Sequence, residues 1–158
     1  MKKVLIILVS LTFLLSIKVD AFANNLESSK QVEVEKLDNG DYIETFIESE
    51  DSELVTMSAA KTITKTKTAQ YKNSSGEVLW SVSIKGTFTY DGKTSKCTSC
   101  SHSTTAPSKY WSIKSCTSTK SGNKATATVV ALQKGIATNT VTKTITISCS
   151  PKGVVSWY

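Results

Sequence analysis

Alternation of apolar and polar residues predicts that most of this chain forms β-strands. In the clearest case, apolar residues and one glycine occupy every second position from Val78 to Tyr90, with Ser, Thr and Lys between them and only Leu79 out of step. A period of two over this length is typical of a half-buried strand and not of a helix. Gly86 marks a bulge or bend within the strand, and Asp91-Gly92 forms a two-residue hairpin turn.

Four further segments have the composition of short strands separated by turn residues. A Lys- and Thr-rich segment resembles an edge strand, where lysines discourage edge-to-edge aggregation. The last segment places Ile145, Ile147 and Cys149 on an apolar face and a row of Thr and Ser on the other. The segments are 61–68, 111–113, 125–132 and 141–149. We therefore predict an all-β fold, an immunoglobulin-like antiparallel β-sandwich of about six or seven strands, with a small barrel or jelly roll as alternatives.

The first residues have the pattern of a secretory signal peptide. Lys2 and Lys3 precede an apolar run over 4–17, and Ala21 and Ala23 supply small residues at the −3 and −1 positions of a cleavage site. A run of about fourteen residues is too short to span a bilayer. Residues 1–23 are therefore predicted to be removed, and the protein is predicted to be secreted and extracellular, without a transmembrane anchor.

Charge divides the mature chain into an acidic arm, residues 24–57, and a basic domain, residues 58–158. The arm has ten carboxylates and two lysines, whereas the domain has fourteen lysines and two carboxylates. Within the arm, alternation over 32–35, a turn at 38–40 and an apolar stretch over 42–47 predict a hairpin followed by a linker. The arm is either a solvated N-terminal extension or a removable prosegment that docks on the basic domain.

Four cysteines in an exported chain predict disulfide bonds. Cys149 shares the apolar face of its strand, whereas alternation places Cys116 on the opposite face from Trp111, nearer the outside. This pattern favours a core bridge, Cys97–Cys149, and a local bridge, Cys100–Cys116. The other two connectivities stay open.

The same cysteines make a poor metal or redox site. Cys97 and Cys100 have the spacing of zinc ligands, and His102 and Cys116 follow, but a second closely spaced ligand pair is missing. A thioredoxin-like site would need a helix after the CxxC, whereas the flanks here are turn-like. No metal and no cofactor is therefore predicted.

Catalytic groups are sparse in the basic domain. It contains one histidine, His102, and two carboxylates, Glu77 and Asp91, which stand at opposite ends of the long strand. A nucleophilic triad or a glycosidase pair needs such groups close together. The sequence therefore predicts that the protein is not an enzyme.

Short motifs across most of the mature chain resemble those of a known group of proteins. The motifs are GDYIE at 40–44, LWSV at 79–82, GTFTYDG at 86–92, SGNKATA at 121–127 and ISCS at 147–150. They resemble a group of small secreted proteins of Clostridia-type Gram-positive bacteria that has no assigned function. The resemblance implies export and a β-rich fold, and it includes Cys97 and Cys149 more clearly than Cys100 and Cys116.

Lysine is the remaining functional clue, because all nineteen basic residues are Lys. Without Arg for bidentate base contacts, specific nucleic-acid binding is not expected. We predict a non-enzymatic protein that binds an extracellular or cell-surface partner, such as an anionic cell-wall polymer or a surface glycan. The alternatives are a cationic antibacterial or toxin-like protein made with an acidic prosegment and, less favoured, an enzyme. The candidate surface-binding residues are Lys61, Lys65, Lys67, Trp157 and Tyr158.

Overall fold

The computed structural model describes residues 32–48, 60–135 and 139–157, so the predicted signal peptide and all but the first residue of the linker predicted over 48–58 lie outside the described residues. In these ranges no helix is long and apolar enough to cross a membrane. The described residues contain nine strands: β1 (Val32–Lys36), β2 (Tyr42–Glu48), β3 (Lys61–Lys72), β4 (Val78–Tyr90), β5 (Ser95–Thr105), β6 (Trp111–Ser121), β7 (Lys124–Gln133), β8 (Thr140–Cys149) and β9 (Val155–Trp157).

The strands form two antiparallel sheets, which confirms the prediction of an all-β, two-sheet architecture. Sheet A has the order β1-β2-β3-β4-β5, and sheet B has the order β6-β7-β8-β9. Within each sheet the strands pair in their order along the chain, whereas an immunoglobulin sandwich distributes consecutive strands between its sheets. The immunoglobulin-like detail of the prediction is therefore not confirmed.

The hairpin within the acidic arm is part of sheet A. β1 pairs with β2 around the turn at Gly40, and all seven residues of β2 pair with β3. Ile43 and Phe46 of β2 are 4% and 5% exposed. The predicted hairpin is thus confirmed, and its second strand contributes buried apolar side chains.

This pairing corrects the prediction that residues 61–68 form an edge strand. β3 lies between β2 and β4 and pairs with both. A lysine-rich strand can occupy this central position because the preceding hairpin covers its edge. Alternation along one strand does not show which segment pairs with it, so the sequence pattern could not distinguish an edge from a centre.

The core lies between the sheets and is built around three aromatic rings. The Tyr71 ring stacks on Trp80 at a centroid distance of 5.3 Å and lies 5.2 Å from Trp111. Trp111 is 4% exposed, as expected for a core residue.

Gly86 lies where the sheets approach closely, because a Cβ at this position would lie 2.9 Å from the Ile147 side chain. The register shifts beside it, between Thr87 and Phe88, where a bulge was predicted.

Candidate functional site

The candidate binding site is a groove at one end of the sandwich, where two turns meet the start of β3. Its volume is about 360 Å³. The β4–β5 turn contributes one wall and the β8–β9 turn contributes the other. The lining residues are Lys61, Tyr90, Asp91, Gly92, Pro151 and Lys152.

Close contact between the two turns fixes the shape of this groove. The Gly92 amide donates a hydrogen bond to the Pro151 carbonyl at 2.9 Å. The Tyr90 ring lies directly over Gly153, where an added Cβ would be 2.5 Å from the ring. Gly153 also has a φ of +83°, which side chains rarely adopt. Only glycine therefore allows the ring to lie against this turn.

The carboxylate of Asp91 is committed to its own turn. Its oxygens accept hydrogen bonds from the amides of Lys93 and Thr94 at 2.9 and 2.7 Å, and from the Thr94 hydroxyl at 3.1 Å. These bonds, that of the Thr94 amide above all, hold the pKa of Asp91 below its usual range. Asp91 is therefore an ionised turn residue and a poor general acid. The other charged and aromatic groups of the lining are one aromatic ring and two lysines.

The structure separates the five residues predicted to bind at the surface. Lys61 lies in the groove, and Lys65 is partly buried farther along β3. Lys67 is only 2% exposed, so its assignment to an open binding surface is wrong. Trp157 is partly buried and pairs with Ile147, and Tyr158 lies outside the described residues.

Sequence reasoning missed two groove residues, Tyr90 and Lys152. Alternation assigned Tyr90 to the apolar face of β4, and Lys152 was one lysine among many. The signal that could have found them is the pair of glycine turns, Asp91-Gly92 and Lys152-Gly153. Contact between these turns brings residues about sixty positions apart to one groove, and no local pattern reveals that contact.

Apart from the groove, a cluster of charged residues lies on the side of the sandwich where β1 faces β8. A cavity of about 110 Å³ there is lined by two glutamates of β1, Lys67 of β3 and Lys143 of β8. The Lys143 ammonium pairs with the Glu35 carboxylate at 2.5 Å, and the Lys67 ammonium donates to the Thr146 carbonyl at 3.4 Å. Burial lowers the pKa of Lys67 to about 8, although the Glu33 charge opposes this shift.

All four cysteines are free thiols, and the predicted disulfides are not formed. Cys97 and Cys149 are buried, as the core bridge requires, and burial raises the pKa of both thiols. No cluster of His, Cys, Asp or Glu within the described ranges could hold a metal ion.

The face assigned to Cys116 was wrong. Ile113 pairs with Ala131 and Cys116 pairs with Val129, so a bulge between them inserts one extra residue. Ala131 and Val129 are both buried on one face of β7. Cys116 therefore points to the same interior side as Ile113, because a single inserted residue reverses the alternation.

The seam between β5 and β6 is closed by hydrogen bonds from side chains and turns. His102 Nδ1 lies 2.9 Å from Ser118 Oγ, and the Lys120 ammonium donates to the Thr98 carbonyl at 2.5 Å. The Cys97 amide donates to the Gly122 carbonyl at 2.8 Å. His102 thus has a structural role in joining the sheets.

Comparison with known proteins identifies no relative of this chain. The chain matches no protein-family model, no curated protein and no solved structure.

Proposed function

We propose that this is a secreted, non-enzymatic β-sandwich protein that binds an anionic glycan or cell-wall polymer outside the cell. The observation that carries the proposal is the end groove, in which Lys61, Lys152 and the Tyr90 ring line one concave surface. The ring offers an apolar face to a sugar, and the ammonium groups attract carboxylate or phosphate groups. Lysines act as point charges without a fixed bonding geometry, which suits a repeating polymer.

A cationic antibacterial or toxin-like protein with an acidic prosegment is the second candidate. Its support is the pairing of arm carboxylates with lysines of the basic domain, Glu35 with Lys143 and Glu44 with Lys72. The burial of Ile43 favours the first candidate, because a prosegment that supplies core residues cannot leave without cost.

An enzyme is the least favoured candidate. Asp91 is committed to its turn, and the carboxylate of Glu77 accepts a hydrogen bond from the Asn73 amide group at 3.2 Å. Both carboxylates of residues 58–158 therefore have structural partners.

Neutralising the groove should weaken binding to anionic cell walls. We expect K61Q/K152Q to reduce the affinity about thirtyfold, because each of the two lysines near an anionic surface contributes about 1 kcal/mol. The matched control K114Q/K134Q removes the same charge from exposed positions outside the groove. The measurement is co-sedimentation with purified Gram-positive cell walls, before and after extraction of their anionic polymers. Equal losses in both double variants would show diffuse attraction in place of a groove, and unchanged binding to extracted walls would exclude an anionic ligand.

We also propose that an oxidising environment joins Cys97 to Cys149. Their amides donate to the consecutive carbonyls of Gly122 and Asn123, at 2.8 and 3.0 Å. The Ser95 hydroxyl, two residues before Cys97, donates to the Cys149 carbonyl at 2.5 Å. Cys97 from sheet A and Cys149 from sheet B are therefore held to the same turn, and both are buried.

The local bridge, Cys100–Cys116, is harder to form. Contacts of His102 with Ser118 and of Thr98 with Lys120 show which residues face each other across the seam. In that alignment the two cysteines are offset by about three residues, on the order of 10 Å. A disulfide at this distance requires the backbone to move.

Peptide mapping of the protein secreted by its host should therefore find Cys97 linked to Cys149. We expect C97S/C149S to lower the free energy of unfolding by about 3 kcal/mol relative to the oxidised parent. The control C100S/C116S should lower it by less than about 1 kcal/mol. A Cys97–Cys100 or Cys97–Cys116 bridge as the major species would contradict this pairing.

A further inference from the structure

In β1 the apolar side chains face solvent and the carboxylates face the interior side of the sheet, the reverse of the usual arrangement. Val32 and Val34 are 49% and 52% exposed. Glu33 and Glu35 pair with Thr45 and Ile43, whose side chains face the interior side of the sheet, and both glutamates line the cavity there. The two glutamates keep much of their exposure, but their carboxylates lie on the side of the sheet where nearby positive charge stabilises them.

That positive charge comes from both sheets. Lys67 reaches the cavity from β3, in the centre of sheet A, and Lys143 reaches it from β8 of sheet B. Thr45 adds a hydroxyl group to the same lining, whereas the Thr144 hydroxyl is hydrogen-bonded to Thr128 on the outer face of sheet B. Two ammonium groups and one hydroxyl around a small cavity form a set of donors suited to an oxyanion.

We propose that Lys67 and Lys143 form a concealed oxyanion-binding site, which β1 covers by placing the carboxylates of Glu33 and Glu35 where the oxygens of a carboxylate or phosphate ligand bind. The arm is then an autoinhibitory strap that imitates the ligand. This site does not depend on the end groove, since Lys67 lies six positions along β3 from Lys61, on the order of 20 Å.

The strap can open without unfolding the domain. All five residues of β1 are exposed, and β2 is its only partner strand in the described part of the chain. An exposed edge strand with few buried contacts opens at low free energy. Opening uncovers the two lysines and leaves the pairing between β2 and β3 intact.

The test compares two charge-matched variants of the arm. Both are made in the K61Q/K152Q background, so that the groove lysines cannot contribute to phosphate binding. E33Q/E35Q neutralises the inward carboxylates, whereas E44Q/E48Q neutralises two carboxylates on the opposite face of sheet A. Each is titrated with inorganic phosphate by calorimetry. We expect E33Q/E35Q to bind phosphate about tenfold more tightly than E44Q/E48Q. Addition of K143Q to E33Q/E35Q should abolish the gain.

A second variant keeps the test decisive if E33Q/E35Q folds poorly. The mature chain shortened to begin at Leu37 lacks β1 and should bind phosphate as tightly as E33Q/E35Q. Equal affinities in the two charge-matched variants, or a gain that survives K143Q, would overturn the proposal. Because the groove lysines are absent throughout, either outcome leaves the proposed groove function unaffected.

Discussion

A chain that begins at Ser58 should be unable to maintain the fold of the mature protein. It lacks β2, all seven residues of which pair with β3, and it lacks the buried side chains of Ile43 and Phe46. Loss of one large buried apolar side chain costs about 2–5 kcal/mol. We therefore expect the free energy of unfolding to fall by more than about 4 kcal/mol, which is a large share of the stability of a domain. Urea unfolding followed by tryptophan fluorescence measures this change.

The control is the chain that begins at Leu37. It removes β1, whose residues are all exposed, and it keeps β2. This chain should lose only about 1 kcal/mol and should show the same unfolding cooperativity as the mature protein. If residues 58–158 alone unfold at the same urea concentration as the mature chain, the arm is dispensable for folding. The prosegment alternative would then replace the binding protein as the leading hypothesis.

Replacement of Trp80 by alanine should cause the largest loss of stability of any single substitution in the core. Trp80 is fully buried, and its ring lies 5.3 Å from Tyr71 and 6.4 Å from Trp111 between the centroids. Truncation leaves a large cavity between rings that the backbone holds apart. We expect a loss of about 3–5 kcal/mol in the free energy of unfolding, measured by urea titration.

Trp80→Phe is the matched substitution that separates packing from hydrogen bonding. The Trp80 indole nitrogen is buried and has no hydrogen-bond partner among the described residues. Phenylalanine keeps most of the ring contact and removes the unsatisfied N–H, whose burial costs about 1–3 kcal/mol. We expect Trp80→Phe to cost less than about 1.5 kcal/mol. A loss as large as that of Trp80→Ala would show that the N–H contributes to stability.

The features that the sequence predicted correctly depend on local periodicity. The alternation from Val78 to Tyr90 and from Val141 to Cys149 places one face against the other sheet, and β4 and β8 follow it. The bulge near Gly86 was also predicted, because a glycine within a strand has few other roles.

The errors arise where structure depends on distant residues or on a single inserted one. β3 is central because it pairs with β2 of the acidic arm. From composition alone, that arm resembles a solvated extension. One residue inserted after Ile113 reversed the side on which Cys116 lies. Lys67 was taken for a surface residue because the carboxylates that face it belong to β1, more than thirty positions earlier.

The candidate site was predicted only in part for the same reason. Lys61 was identified because lysine was the most conspicuous residue type in the basic domain. Tyr90 and Lys152 join it through contact between two turns, and Gly153 permits that contact by lacking a side chain. Neither turn indicates by itself that the other lies beside it.

The sequential order of the strands also determines how the protein can assemble as its chain is synthesised. Every ladder of sheet A is complete once Thr105 has emerged, before any residue of sheet B is needed. Each ladder forms between strands that are neighbours along the chain. The entropy cost of closing the loop between them is therefore small, and pairing is not greatly slowed. Docking of the sheets is then the late step. Until β6 to β9 arrive, the apolar face of sheet A is exposed to solvent, and this is the stage at which aggregation competes with folding.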